Sequence, residues 1–238
     1  MCGRFGLVVD IERVLDHFRF DPSSVAYTQR YNVAPTDPVL TFGATGASTA
    51  EYMRWGLIPW WSKPGGRKLP LAINAKSETA VTNGMFMEPF QRRRCLVLSD
   101  GFYEWRKHDG GTTPYRIGLS TWEPFGFAGL WDEWRGPDGT ARSVTILTTT
   151  PNALMEPIHN RMPVILPTEA HEEWLALDNH DTHALQRLLL PYPPDAMAAY
   201  EVGAAIGNVR NDTPEVIAPA SQGRMLQRSI EFDGPLAE

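Results

Sequence analysis

The second residue of the chain is a cysteine, and methionine aminopeptidase removes Met1 when the residue behind it is this small. Cys2 then carries an α-amine and a thiol on adjacent carbons. Their unperturbed pKa values are about 7.7–8.0 and about 8.5, so both nucleophiles are partly available near neutral pH. Such a 1,2-aminothiol can attack an amide as an N-terminal nucleophile. It can also capture an aldehyde as an imine that the thiol closes to a five-membered thiazolidine. From position alone, Cys2 also reads as a small hydrophobe packed near a terminus.

Further residues have types suited to work beside such a group. Glu104 lies in GFYEW, where Phe102, Glu104 and Arg106 alternate with Tyr103 and Trp105. That period of two places its carboxylate on one face of a strand between bulky neighbours, where it could move protons or pair with a flanking arginine. His159, in IHNRMPVIL, is the best placed of six histidines, on a loop leading into an apolar run, and an imidazole there can shuttle protons. Asn74, in INAKSET, offers an amide that holds a carbonyl or imine without competing as a nucleophile; a turn-capping role is the alternative. Trp60 and Trp61 precede Lys63, Arg67 and Lys68 on a segment broken by Pro59, Pro64, Gly65 and Gly66, which joins stacking surface to positive charge. Arg4 and Arg161 each sit two residues from a candidate catalytic group, as phosphate ligands or as partners of an acid. Cys95, bracketed by apolar residues, reads as inert core. His180 and His183 have ligand-like spacing but no cysteine nearby, and Asp181 reads as a helix cap, so no metal site is expected.

Short β-prone runs separated by Gly, Pro, Asp and Asn must position these groups: residues 4–9, 39–42, 51–56, 95–99, 102–106, 115–119, 125–130 and 144–149. Helices are predicted over Ile11–Phe18 behind Asp10, Glu169–Leu177 behind Thr168, and Thr182–Leu190 behind Asp181. The 238 residues carry 42% hydrophobic and 21% charged side chains, which excludes a disordered chain, and two cysteines exclude a disulfide framework. No run of 18 apolar residues and no signal-type leader is present, so a cytoplasmic protein is expected, with no membrane partner. The net charge of −6 is uneven, because Arg54–Lys107 holds ten Lys/Arg against four acids. One face could therefore attract phosphate, although the charges could also be scattered over a solvated surface. No GxxxxGK or GxGxxG loop follows a strand, so no nucleotide cofactor is expected.

The blocks MCGRF, RYNVAPT, WGLIPWW, INAKSET, RRCLVLSDGFYEW, FAGLWDEW, LTTTPN, IHNRMPVIL and VRNDTPE, spread from residue 1 to about 215, together resemble the SOS-response-associated peptidase (SRAP) family. That resemblance implies an α+β fold: one domain, residues 1–220, built on a mixed, barrel-like β-sheet with a few flanking helices, followed by a tail over 221–238. It implies crosslinking of Cys2 to abasic sites in single-stranded DNA, with Asn74, Glu104 and His159 as the other catalytic residues. Arg4, Trp60, Trp61, Lys63, Lys76, Thr148 and Arg161 are the expected DNA contacts. No cofactor, a monomer, and nucleoid association when bound complete the expectation. An N-terminal-nucleophile peptidase acting on Met1 or on other peptides is the alternative, and a non-catalytic single-strand binder is a third reading. Lys76 stands where the family usually has Arg, giving charge without a bidentate fork.

Overall fold

Side-chain alternation divides the interior. In the strand Arg94–Ser99, Cys95 and Val97 pack into one apolar cluster while Leu96 and Leu98 pack into another. Phe127 and Ala128, or Ile146 and Leu147, part in the same way, as a pleated strand buried on both faces requires. The computed structural model describes residues 2–21, 25–46, 48–64, 70–137, 139–220 and 225–226.

The strands are β1 (Phe5–Leu7), β2 (Arg30–Val33), β3 (Pro38–Phe42), β4 (Ala50–Trp55), β5 (Asn74–Lys76), β6 (Arg94–Ser99), β7 (Gly101–His108), β8 (Gly111–Leu119), β9 (Phe125–Gly136), β10 (Gly139–Thr149), β11 (Met162–Pro163), β12 (Ile165–Leu166), β13 (Met197–Glu201) and β14 (Met225–Leu226). The helices are α1 (Ile11–Phe18), α2 (Ser77–Ala80), α3 (Met87–Arg92), α4 (His171–Leu175) and α5 (Thr182–Arg187). Strands β10, β4, β3, β6 and β9 follow one another, and β9 pairs back onto β10, which closes a five-stranded barrel. The β4–β10 step is parallel and the others are antiparallel, so the barrel is mixed. A second, antiparallel sheet runs β14-β13-β8-β7-β1-β2. Phe5, Trp55, Phe102, Ile117 and Phe127 join the two sheets in one core that also holds Cys2. The fold is α+β, as the resemblance implied.

Helix α1 has the predicted bounds, but the Asp10 side chain makes no cap and instead accepts from the Gln29 amide at 3.0 Å. The helix predicted over 169–177 divides into a 3₁₀ turn, Thr168–Ala170, and α4, with Ala176 already extended. The predicted 182–190 helix ends at Arg187, and Asp181 caps it through the Nα–H groups of His183 and Ala184, both at 3.0 Å.

Two cations of the basic segment are spent within the fold, while Arg67 and Lys68 lie outside the described residues. Arg94 is fully buried and donates to the carbonyls of Phe90, Gln91, Trp174, Ala176 and Asn179 at 2.5–3.1 Å, satisfying the orphan ends of α3 and α4. Arg93 pairs with Glu88 and the buried Asp132. The described part of the chain beyond Gly203 wraps back: the Asn32 amide donates to the carbonyls of Ile206, Asn208 and Asn211, and Asp212 receives the backbone N–H groups of Tyr31 and Asn32. The predicted tail, 221–238, lies outside the described residues except for Met225–Leu226.

Candidate active site

Strand β1 pairs antiparallel with β7, Phe5 opposite Phe102 and Gly6 opposite Gly101, and Tyr103 N–H donates to the Arg4 carbonyl at 2.9 Å. Continuing that register sets Gly3 opposite Glu104, so the approach of the N-terminus to the carboxylate is dictated by sheet pairing. Cys2 is 0% exposed and Glu104 4% exposed. Burial pushes the Cys2 thiol well above its ordinary range, and the Glu104 charge pushes it further. The sulfur keeps its proton at neutral pH, with the Arg4 carbonyl 3.9 Å from Sγ.

Asn74 opens β5, which lies parallel to β10 with Asn74 opposite Ile146. Its Nδ2 donates to the Cys2 carbonyl at 2.7 Å, while its Oδ1 is buried and accepts no hydrogen bond among the described residues. The amide therefore fixes the backbone of Cys2 and holds a vacant acceptor beside it.

His159 follows Ile158, which packs in the same cluster as Cys2, and precedes β11. His159 Nδ1 faces the backbone of Arg161, 3.1 Å from its nitrogen and 3.2 Å from its carbonyl oxygen. Arg161 Nη1 meets Glu78 Oε1 at 2.5 Å, while Nη2 meets Glu78 Oε2 at 2.9 Å and the Thr148 carbonyl at 2.5 Å. Thr148, expected among the DNA contacts, is fully buried, and its Oγ1 lies 3.3 Å from Arg161 Nη2. It has no surface of its own to offer a strand and acts on Arg161. Lys76 is exposed at the end of β5.

Arg4, also expected on phosphate, spends its Nη1 on Asn32 Oδ1 at 2.8 Å and the Ile206 carbonyl at 3.0 Å, and its guanidinium lies 5.9 Å from the Trp105 ring centre. It ties β1 to the returning C-terminal turns. Trp60 and Trp61 are 56% and 43% exposed, and Lys63 is exposed beside them. Asp132 accepts the Trp60 N–H at 2.9 Å, Glu88 accepts its indole N–H at 2.8 Å, and Trp134 donates to the Ser62 carbonyl at 2.6 Å. The segment is thus strapped to β9 and α3 while its rings remain in solvent. Sequence reasoning did not single out Glu78, Asn32 or Asp132. Their partners lie 28–180 residues away, and the one local signal was an acid or amide inside a block already noted for another residue.

The site therefore combines the buried thiol of Cys2, an amide on its carbonyl, a buried carboxylate on the neighbouring strand and an imidazole on the adjoining loop. Such a set can form and cleave bonds at one carbon while moving protons. Comparison with known proteins places the chain among relatives. The family profile described as SOS response associated peptidase (SRAP) matches residues 1–209. The chain is 42% identical over 224 residues to the abasic site processing protein YoqW of Bacillus subtilis (strain 168), covering 91% of this chain and 99% of that protein. It is 31% identical over 233 residues to the abasic site processing protein YedK of Escherichia coli (strain K12), covering 92% and 100%. A crystal structure of a protein from Bacteroides thetaiotaomicron superposes with a TM-score of 0.79 at 26% identity, over 92% of this chain and 98% of that one.

Proposed function

Since this chain belongs to the SOS response associated peptidase (SRAP) family, we propose that it processes abasic sites in single-stranded DNA by trapping their aldehyde on Cys2 after Met1 is removed. The observation that carries this reading is the buried Cys2, held through its carbonyl by Asn74 and set against the strand that bears Glu104.

The Cys2 α-amine adds to C1 of the ring-opened sugar, and loss of water leaves an imine. The thiol then adds to the imine carbon, forming the C–S bond as its proton passes to the nitrogen. The net change is aldehyde plus aminothiol to thiazolidine plus water. Burial keeps the sulfur protonated, so the amine acts first and the thiol needs a base when its turn comes. Glu104 fills that role and returns the proton. Asn74 Oδ1 accepts from the amine or a sugar hydroxyl, and the His159 imidazole exchanges protons with sugar oxygen. Trp60, Trp61, Lys63, Lys76 and Arg161 grip the strand through stacking and charge. The protein acts as a monomer in the cytoplasm, at the nucleoid when bound; among the described residues no helix is long and apolar enough to cross a membrane.

The test uses an oligonucleotide with one abasic site. A heat-stable adduct of purified protein, lost with Cys2→Ala, is expected, and intact mass should show Met1 absent. An adduct that survives Cys2→Ala overturns the assignment. Cleavage of peptides without an adduct would point to the N-terminal-nucleophile peptidase, which uses the same residues on an amide.

A further inference from the structure

Resting on the reading of this site as a single-strand binder, we propose that Glu78 is a built-in anion occupying the place of a DNA phosphate on Arg161, so that a strand docks by displacing it. Glu78 then acts as a brake on DNA binding.

Two ion pairs show the contrast. Arg116 and Asp100 are 2.8 Å apart with side chains 6% and 0% exposed, and Asp100 is further fixed by the N–H groups of Val8 and Val9. Neither partner can leave without stranding a buried charge. The Arg161 side chain is 14% exposed, but Glu78 is 46% exposed and sits in the first turn of the four-residue α2. Nη2 of the guanidinium also donates to the Thr148 carbonyl and lies 3.3 Å from its hydroxyl, which anchors the cation. Glu78 covers the outer edge with both oxygens.

A carboxylate on a guanidinium fork and the two non-bridging oxygens of a phosphodiester use the same pair of parallel N–H donors. The exposed Lys76 adds a second positive charge, and with Arg161 it holds the Glu78 carboxyl below the usual carboxylate range. The anchored cation stays while the exposed anion is exchangeable. When a phosphate takes Nη1 and Nη2, Glu78 turns into solvent and recruits a cation, which offsets the counterion the phosphate releases. The salt dependence of binding in the wild type is therefore shallower than its phosphate contacts alone would give.

The experiment measures affinity for an intact single-stranded oligonucleotide across a potassium chloride series, with adduct formation on the abasic version followed in parallel. Glu78→Gln should bind about tenfold more tightly at low salt and steepen the slope of log K against log salt by about 0.7. In an Arg161→Gln background the same change should have little effect, because the two residues act as one unit. Weaker binding by Glu78→Gln with a shallower slope would make Glu78 a residue that orients Arg161 and would overturn the proposal. So would unchanged binding alongside normal wild-type adduct formation. A wild-type protein that neither binds nor crosslinks would overturn the functional reading itself.

Discussion

The surroundings of Cys2 and the Trp60–Lys63 segment are built on opposite terms. Cys2, Glu104 and Asn74 are held by sheet register and buried hydrogen bonds, in a place where charge is costly and proton position matters. Trp60, Trp61 and Lys63 expose their side chains and bury only their supports, Asp132 and the Trp134 indole contact. The first region suits a reaction that must exclude water and aim atoms. The second suits a partner that is long, charged and aromatic, gripped without readout of its sequence. Chemistry and affinity should therefore separate on mutation.

The sharpest break in that comparison is Cys2→Ala, expected to abolish the heat-stable adduct while affinity for intact single strands stays within about twofold, since affinity is assigned to stacking and phosphate contacts. Loss of both would merge the two regions into one. Next is Glu104→Gln, expected to slow adduct formation by about 10²–10⁴-fold, the usual weight of a general acid–base group. Formation and reversal share transition states, so release into excess abasic competitor should slow in step, leaving the equilibrium less affected than either rate. Equal rates in wild type and variant would return Glu104 to a structural role.

Asn74→Ala and His159→Ala should each slow the adduct by about 10- to 100-fold with DNA binding preserved, because one fixes the Cys2 carbonyl and the other is assigned proton exchange at the sugar. Parallel loss of binding and crosslinking would oppose the division. The smallest effect on chemistry is expected from Trp61→Ala with Lys63→Ala. It should weaken binding by about 1–3 kcal/mol for one lost stacked base and make the salt slope shallower by about 0.7, with the adduct rate at saturating DNA unchanged. An unaltered slope would remove Lys63 from the interface.

The interior strands were legible because β6, β9 and β10 are β-prone, mostly apolar runs bounded by turn residues, as strands buried on both faces read, while β7 shows period-two alternation. Legibility failed at β5, a three-residue strand whose pattern is too short to read, and over the β9–β10 ribbon from Trp131 to Arg142, where half-exposed polar residues replace the apolar pattern. Cys2 and Glu104 stood out because their chemistry is local to a few neighbours. Thr148 was expected on DNA but is buried, and Arg4 already gives its Nη1 to Asn32 and Ile206; partners such as Ile206 and Ala75 lie too far along the chain for spacing to reveal. Arg94 was counted with a basic run, and only the meeting of α3 with the turn after α4 shows why a cation belongs in that interior.

The pairing of β1 with β7 also sets a clock during synthesis. Cys2 leaves the ribosome early, but the strand that buries it begins at Gly101. At about 5–20 residues per second, the roughly 100 residues between them take about 5–20 s to make. During that interval Cys2 lies on a nascent chain, before the strand that buries it has been made. Nascent chains stalled before residue 101 should already begin at Cys2.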